Sequence, residues 1–374
     1  MPWKEKTSMS CRHEFVLLAS QPGAVVRELC RRHGISPKTG YKWLARYQAD
    51  GAAGLADRSR RPVHSPQRTA PLMERRIVAL HRRYPYWGPR KLRVLLNDPQ
   101  APQPSTVAAV LRRHGCQVQG VDKTERATRR FEHDRPNALW QMDFKGHFAL
   151  STSGRCHPFT LLDDHSRFAL RLQACSNERS ATAQAQLIEA FRRYGLPDGI
   201  TADNGPAWAP TVGKGITALE AWLLQLGVDI RHSRPHHPQT QGKLERLHRT
   251  LEREVVQAHR YRNLAACQRA LDHWRDQYNC LRPHQSLGLR PPIDRYRPSS
   301  RAYPEHLPPI VYDEGEQVLK VRRNGQIVYR GRTVFVGEGL VGHPVAVRPS
   351  STDGLIEVVF IHRTVQHIDL RRHR

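Results

Sequence analysis

Residues 138–150 read ALWQMDFKGHFAL, and their alternation places Trp140, Met142 and Phe144 on one side of an extended chain and Gln141, Asp143 and Lys145 on the other. An aspartate thus stands in the middle of a strand otherwise built for burial. HPFTLLDDHSRFAL (157–170) predicts a partner strand reached through a turn near Ser153-Gly154, and ALRLQACS (169–176) a third. SATAQAQLIEAFRRY (180–194) has an amphipathic helical period, and GLPDGITADNGPAW (195–208) holds a short strand ending at Asp203. Residues 217–226 read as helix, VDIRHSRP (228–235) as a brief strand and HPQTQG (237–242) as a loop. A long helix starts near Gln241, and another covers about 263–280. Strands and helices mixed in this order predict a sheet with helices packed on it.

The helix QGKLERLHRTLEREVV (241–256) buries a stripe of Leu244, Leu247, Leu251 and Val255. Glu245 lies one residue, about 100°, off that stripe, so it is expected at the margin, where it can face the sheet instead of bulk water. Asp143, Asp203 and Glu245 are the candidate catalytic residues. Phosphodiester cleavage needs an activated water or hydroxyl and a stabilised departing oxygen, and two Mg²⁺ ions about 4 Å apart can provide both. Such ions are held by a few carboxylates plus substrate phosphate. Without a cation, three clustered carboxylates repel, and at least one tends to keep its proton.

Outward from this region the texture changes on both sides. In AVVRELCRRHGISPKTGYKWLARY (24–47), Val25, Val26, Leu29 and Cys30 form a helical stripe that His33-Gly34 stops. Ser36 can cap a second helix with Pro37 in its first turn, giving a helix-turn-helix whose Lys38, Thr39, Lys42 and Arg46 would meet bases and phosphates. A Gly-, Pro-, Ser- and Arg-rich stretch follows and reads as a basic linker. APLMERRIVALHRRYP, GPRKLRVLLND and STVAAVLRRHG then make a second helical unit, with Pro89 opening its middle helix and Ser105 capping its third. Val107, Val110 and Leu111 would form that helix's buried side, and Arg112 and Arg113 its basic exit. From about residue 316 the chain becomes a series of short alternating runs punctuated by Asn324-Gly325, Arg330-Gly331 and Asp353-Gly354, which predicts hairpins closing into a small β-barrel.

Composition narrows the function. Lys and Arg outnumber Asp and Glu by 60 to 34, for a net charge of +26. Residues 1–133 alone hold 26 basic and 10 acidic side chains. An excess so localised favours a polyanionic partner, because neutralising phosphates releases condensed counterions. The hydrophobic share of 39% suffices for packed cores in the two to four domains that 374 residues suggest. No run approaches the ~18 apolar residues of a membrane span, so no membrane role is expected. Seven cysteines, an odd number without close pairs, suggest neither a disulfide framework nor a zinc knuckle and point to a reducing interior.

At WQMDF around Asp143, LLDDHSRF, TADNGPAW around Asp203, HHPQTQGKLERLHRTLERE around Glu245 and YNCLRPHQSLGLRPPIDRY, the chain resembles the integrase core of retroviral integrases and insertion-sequence DDE transposases. These motifs span about 135–297. The resemblance implies a multidomain α+β protein: helix-turn-helix units, a ribonuclease-H-like α/β integrase core and a C-terminal small β-barrel. The expected domains are a helix-turn-helix at 1–60, a basic linker and second helix-turn-helix at 61–133, the core at 134–297, a linker at 298–315 and the barrel at 316–374. It also implies Mg²⁺ or Mn²⁺, two ions, bound by Asp143, Asp203 and Glu245, and homo-oligomers on double-stranded DNA, with terminal repeats and target DNA as partners. A bacterial, nucleoid-associated cytoplasmic location would follow.

Around the site, Asn204 either positions the Asp203 loop or contacts DNA, and Lys243 and Arg246 flank Glu245 where phosphate would lie. Asp163 and Asp164 are read as organisers of the hairpin, not metal ligands. Forty-one residues (204–244) separate Asp203 from Glu245, longer than is usual for the group, and the zinc module of retroviral integrases is missing. The expected activity is metal-dependent 3′-end cleavage and strand transfer. A repressor that no longer cuts, or a nuclease that never joins, remain the rivals.

Overall fold

The computed structural model describes residues 7–59, 68–116, 132–203, 205, 207–208, 215–232 and 242–371. The chain divides into two compact units, Met1–Arg68 and Thr69–Arg374.

The first unit is three helices, α1 (Ser8–Ala19), α2 (Val26–Arg32) and α3 (Pro37–Asp50), around Phe15, Val16, Cys30, Trp43 and Leu55. The Ser36 hydroxyl accepts from the Thr39 N–H and Pro37 opens the first turn, as the spacing predicts. Gly40 is the close-approach point of α3: a Cβ there would lie 2.3 Å from Cys30 Sγ and 2.8 Å from Phe15 Cζ. Val25 departs from expectation. It is the residue before α2 and is 62% exposed, so the buried stripe starts one residue later.

The second unit begins with α4 (Pro71–Arg83), α5 (Pro89–Leu96) and α6 (Pro104–Arg113), packed around Ile77, Leu92, Val107, Val110 and Leu111. Ser105 does not cap α6. Pro104 already occupies the first turn, Gln103 holds the cap position, and no side chain bonds there. A proline brings a pre-set φ and no N–H to satisfy, which removes part of the need for a polar cap.

The central sheet contains β1 (Trp140–Phe144), β2 (Phe148–Ala149), β3 (Arg155–Asp163), β4 (Ala169–Cys175), β5 (Gly199–Ala202) and β6 (Asp229–His232). β1 lies between β3, antiparallel with Asp143 opposite Thr160, and β5, parallel; β4 pairs with β3 and β6 with β5. Trp140, Met142 and Phe144 join α7 (Ser180–Tyr194) and α8 (Ala218–Gln225) in one core, through Leu187, Phe191, Leu219 and Trp222. On the opposite face Leu162 and Leu172 pack against Leu244, Leu247 and Leu251 of α9 (Gly242–Leu251) and Leu271 and Trp274 of α10 (Leu264–Cys280). β1 is therefore buried on both faces, which is why an aspartate in it stands out. After α9 the helix widens into a π-helical turn, Glu252–Val256, that keeps Val255 inward.

The proline-rich stretch after α10 is fastened to the core. Leu196 N–H donates to Arg301 O (2.7 Å), and Arg301 caps the carbonyls of Pro197, Leu226 and Gly227. The tail has β7 (Gln317–Lys320), β8 (Gln326–Tyr329), β9 (Arg332–Phe335), β10 (Pro344–Pro349), β11 (Leu355–Phe360) and β12 (Arg363–Asp369). Arg330 (φ 48°) and Gly331 (φ 75°) make the tight turn of the β8–β9 hairpin. Closure of the expected barrel is not detected. Four strands form an open antiparallel sheet, β12-β11-β10-β7, and β8-β9 form a separate two-stranded sheet. Both sheets share a core, in which Ile327, Val345, Val358 and Phe360 pack with Leu224 of α8 and Ile216 just before it. No helix among the described residues is long and apolar enough to cross a membrane.

Candidate active site

Asp143 projects from the central strand toward α9. The Thr160 hydroxyl, directly across on β3, donates to the Asp143 carbonyl oxygen (2.9 Å) and contacts His248 Nε2 (2.8 Å). With its only proton committed, that hydroxyl accepts from Nε2–H, so the tautomer this network assigns leaves Nδ1 as an acceptor. His248 Nδ1 lies 3.8 Å from Asp143 Oδ2. Burial first, and Lys145 second, hold the His248 imidazole down to about 4. It is neutral at pH 7, so this contact is not an ion pair and offers Asp143 no counter-charge. The Asp143 carboxyl is itself pushed up to about 7, mainly by burial and then by the charge of Asp203, with Glu178 and Glu245 adding to it.

Asp203 follows β5 immediately. Its Oδ1 accepts from the Gly205 N–H (2.8 Å) and from the Trp208 indole N–H, while the Trp208 ring stacks on Phe144 (5.3 Å between centroids, 5° between planes). A Cβ on Gly205 would stand 2.8 Å from Asp203 Oδ1, so this turn needs glycine to bring its N–H to the carboxylate. From β6, His232 reaches the Asp203 carbonyl oxygen (3.0 Å) and Glu220 Oε1 (2.8 Å), which ties the strand end to α8.

Glu245, in the first turn of α9, is exposed, not turned into the sheet. The stripe of three leucines is satisfied without it, and its neighbours decide the helix's rotation. Lys243 is half-buried, with Nζ 2.5 Å from Asp164 Oδ2, which anchors the start of α9 to the end of β3. As a set, the oxygens of Asp143, Asp203 and Glu245 do not fall within 4.8 Å of one another.

Asp163 and Asp164 are fully buried and surrounded by donors. Asp163 accepts from Asn137 N–H (2.8 Å), Ser166 N–H (2.7 Å) and Ser166 Oγ (2.5 Å). Asp164 accepts from Gln141 Nε2 (2.8 Å) and His133 N–H (3.0 Å) as well as Lys243. They organise the hairpin end, as their sequence context suggests. In the first unit Lys38 and Lys42 are exposed, and Lys42 and Arg46 lie over the Trp43 ring at 4.3 and 5.1 Å. Arg112 is exposed, whereas Arg113 is held by the buried Glu74 (2.8 Å). Asn204 and the 236–241 loop lie outside the described residues. Thr160, Glu178, Trp208 and His248 escape the sequence reading as site residues. Trp208, the last letter of TADNGPAW, and His248, inside HHPQTQGKLERLHRTLERE, lay within quoted motifs without being singled out.

Comparison with known proteins accounts for most of the chain. Residues 133–238 and 226–292 each match a family described as integrase core domain, and 316–374 match the IS481 family transposase C-terminal domain. Residues 12–62 match a helix-turn-helix domain and 39–111 a homeodomain-like domain. The 39.2 kDa protein of insertion element IS476 from Xanthomonas euvesicatoria is 26% identical over 255 residues, 67% of this chain and 71% of that protein. The 31.7 kDa protein of insertion element IS407 from Burkholderia multivorans is 26% identical over 42% of this chain and 55% of its own length. A Gag-Pol polyprotein of baboon endogenous virus is 28% identical over 51% of this chain, which spans only 11% of the polyprotein. Among solved structures, the simian T-cell lymphotropic virus intasome in complex with a PP2A regulatory subunit aligns at TM-score 0.39 and 17% identity, covering 78% of this chain and 99% of that one.

An integrase core, with the fold of DDE polynucleotidyl transferases, preceded by helix-turn-helix matches defines the class: an insertion-sequence transposase. Its C-terminal segment is similar to that of IS481-family transposases, and together with the integrase core this implies DNA transposition.

Proposed function

We propose that this transposase binds the double-stranded ends of its own element and catalyses 3′-end cleavage followed by strand transfer into target DNA. The observation that supports this most is Asp143: a carboxyl on a doubly buried strand, pushed up to about 7 by burial and by three neighbouring acidic groups. Such a set is short of positive charge, and its all-oxygen donors fit a hard divalent ion, Mg²⁺ or Mn²⁺. Asp143, Asp203 and Glu245 would hold two ions. Bound there, the ions would activate the attacking oxygen and stabilise the departing one.

The chain's own share is placement. Thr160 and the β3 register hold Asp143, the Gly205 and Trp208 N–H groups orient Asp203, and the Lys243–Asp164 pair sets the start of the helix that carries Glu245. In the first step water attacks the phosphorus at the element end, the bond to the flanking strand breaks and a 3′-hydroxyl is freed. In the second, that hydroxyl attacks a target phosphorus, the bond to the target's own 3′-oxygen breaks, that oxygen leaves as a 3′-hydroxyl, and the element end is joined to the target's 5′-phosphate. No covalent protein–DNA intermediate is involved.

DNA contacts are assigned to Lys38, Lys42, Arg46, Arg112, Arg113, Asn204 and Arg246, with Lys243 close by. The domain roles are DNA binding for 1–60 and 61–133, catalysis for 134–297 and DNA or subunit contact for 316–374. Joining paired ends requires more than one catalytic centre, so a homo-oligomer on DNA is expected, at the nucleoid of a bacterial cytoplasm.

The test uses duplexes from the boundaries of the protein's own element, with Mg²⁺ and a plasmid target, and runs Glu245→Gln in parallel. End nicking and joining that the substitution abolishes while DNA binding persists is the expected result. Tight binding of those ends by wild type with neither nicking nor joining would instead favour a regulator.

A further inference from the structure

Beside the acidic set lies a second cluster of different chemistry. His147 stands in the turn between β1 and β2, His157 is the third residue of β3, and Glu178 lies in the bend between β4 and α7. Their ligand atoms all fall within 4.8 Å of one another, and no other group of three His, Cys, Asp or Glu among the described residues does this. His157 Nδ1 is 2.9 Å from Glu178 Oε1, and the two imidazole centroids are 5.2 Å apart. The sheet enforces the meeting: β3 pairs His157 with Cys175, three residues before Glu178, and β2 pairs Phe148, next to His147, with Cys156.

We propose that His147, His157 and Glu178 form a second divalent-metal site, separate from the three carboxylates, that takes Zn²⁺ or a similar imidazole-preferring ion and not Mg²⁺. Two imidazoles and one carboxylate are a donor set for borderline ions, whereas Mg²⁺ prefers oxygen and keeps its water. With bonds of about 2.0–2.2 Å, tetrahedral ligand atoms lie about 3.4 Å apart, so the cluster needs only a small contraction. The His157–Glu178 hydrogen bond marks the metal-free arrangement, in which a proton holds the place the ion would take. Arg155, an exposed side chain, rests on His147 Nε2 and would swing outward. Three protein ligands leave a fourth position open to water or a DNA oxygen. The ion would clamp the β1–β2 turn, β3 and the bend before α7 together at the end of the strand that carries Asp143. Glu178 is also one of the charges felt at Asp143, so occupancy would change the field at the neighbouring site.

The inference does not depend on the transposase reading and can fail without it. The full-length protein, stripped by chelation and dialysed, would be titrated with Zn²⁺ against a chromophoric competitor and with Co²⁺ by visible absorption, both in millimolar Mg²⁺ to occupy the carboxylates. We expect one tight equivalent per chain, with the intense Co²⁺ bands of low coordination number. His157→Gln and His147→Gln should each weaken it by at least about tenfold, while Asp203→Asn leaves it intact. His147 is exposed, so its variant tests the site even if His157→Gln unfolds. Absence of that equivalent in wild type, its survival in both histidine variants, or its loss in Asp203→Asn would overturn the proposal.

Discussion

Asp143 and Asp163 stand on neighbouring strands of one sheet, and burial raises the pKa of both carboxyls, yet their surroundings are opposite. Asp163 accepts three hydrogen bonds from Asn137 and Ser166. Asp143 feels the charges of Asp203, Glu178 and Glu245 and has a neutral imidazole beside it. The comparison teaches that a perturbed carboxyl does not by itself mark function. What separates the two is the balance of donors against like charges: Asp163 has three hydrogen bonds, whereas Asp143 has a backbone hydrogen bond from Phe144 set against three neighbouring carboxylates.

The comparison is most exposed to Asp143→Asn, which keeps the shape and removes the charge. Strand joining by this variant should fall by on the order of a thousandfold or more, equivalent to roughly 4 kcal/mol of lost transition-state stabilisation. Its melting temperature should hold or rise, because a repelled buried charge has gone. A variant that joins DNA normally would place the chemistry elsewhere.

Asp163→Ala should do the reverse. The buried N–H groups of Asn137 and Ser166 lose their acceptor, so urea denaturation should show a loss of about 3 kcal/mol, while activity per folded molecule changes little. Unchanged stability would erase the distinction between the two aspartates.

A pH slope tests the same field directly. Folding raises the Asp143 pKa from 3.8 to about 7, so its contribution to stability is complete below the unfolded value and is lost as pH climbs through the folded one. In metal-free protein, the stability of wild type relative to Asp143→Asn should therefore decline between about pH 4 and 7. Added Mg²⁺ should recover wild type but not the variant at higher pH. A flat difference would mean that Asp143 is not held in the field described here.

Much of this was legible in one dimension because the signals are local. Alternation around Asp143, the Ser36 cap, the leucine stripe of α9 and the Arg330-Gly331 turn each follow from neighbours a few residues away. Misreadings arose where a neighbour distant in sequence, or a competing local device, decides. Pro104 displaced Ser105 as the start of α6. Glu245 is exposed where helical geometry alone left two directions open. The tail's hairpins were readable, but closure into a barrel is a property of strand pairing between hairpins, and β7 and β12 remain edges.

By itself, then, the sequence determined the order of helices and strands, the three acidic positions, the basic amino-terminal third and the family resemblance, all carried by residue type and short-range period. Only the tertiary structure decided which aspartates are satisfied and which are not, that Lys243 is tied to Asp164, and that His147, His157 and Glu178 meet. The physical reason is the same in each case: hydrogen bonds, desolvation and metal geometry depend on distances of a few ångströms, and the sheet's register sets those distances between residues the chain keeps apart.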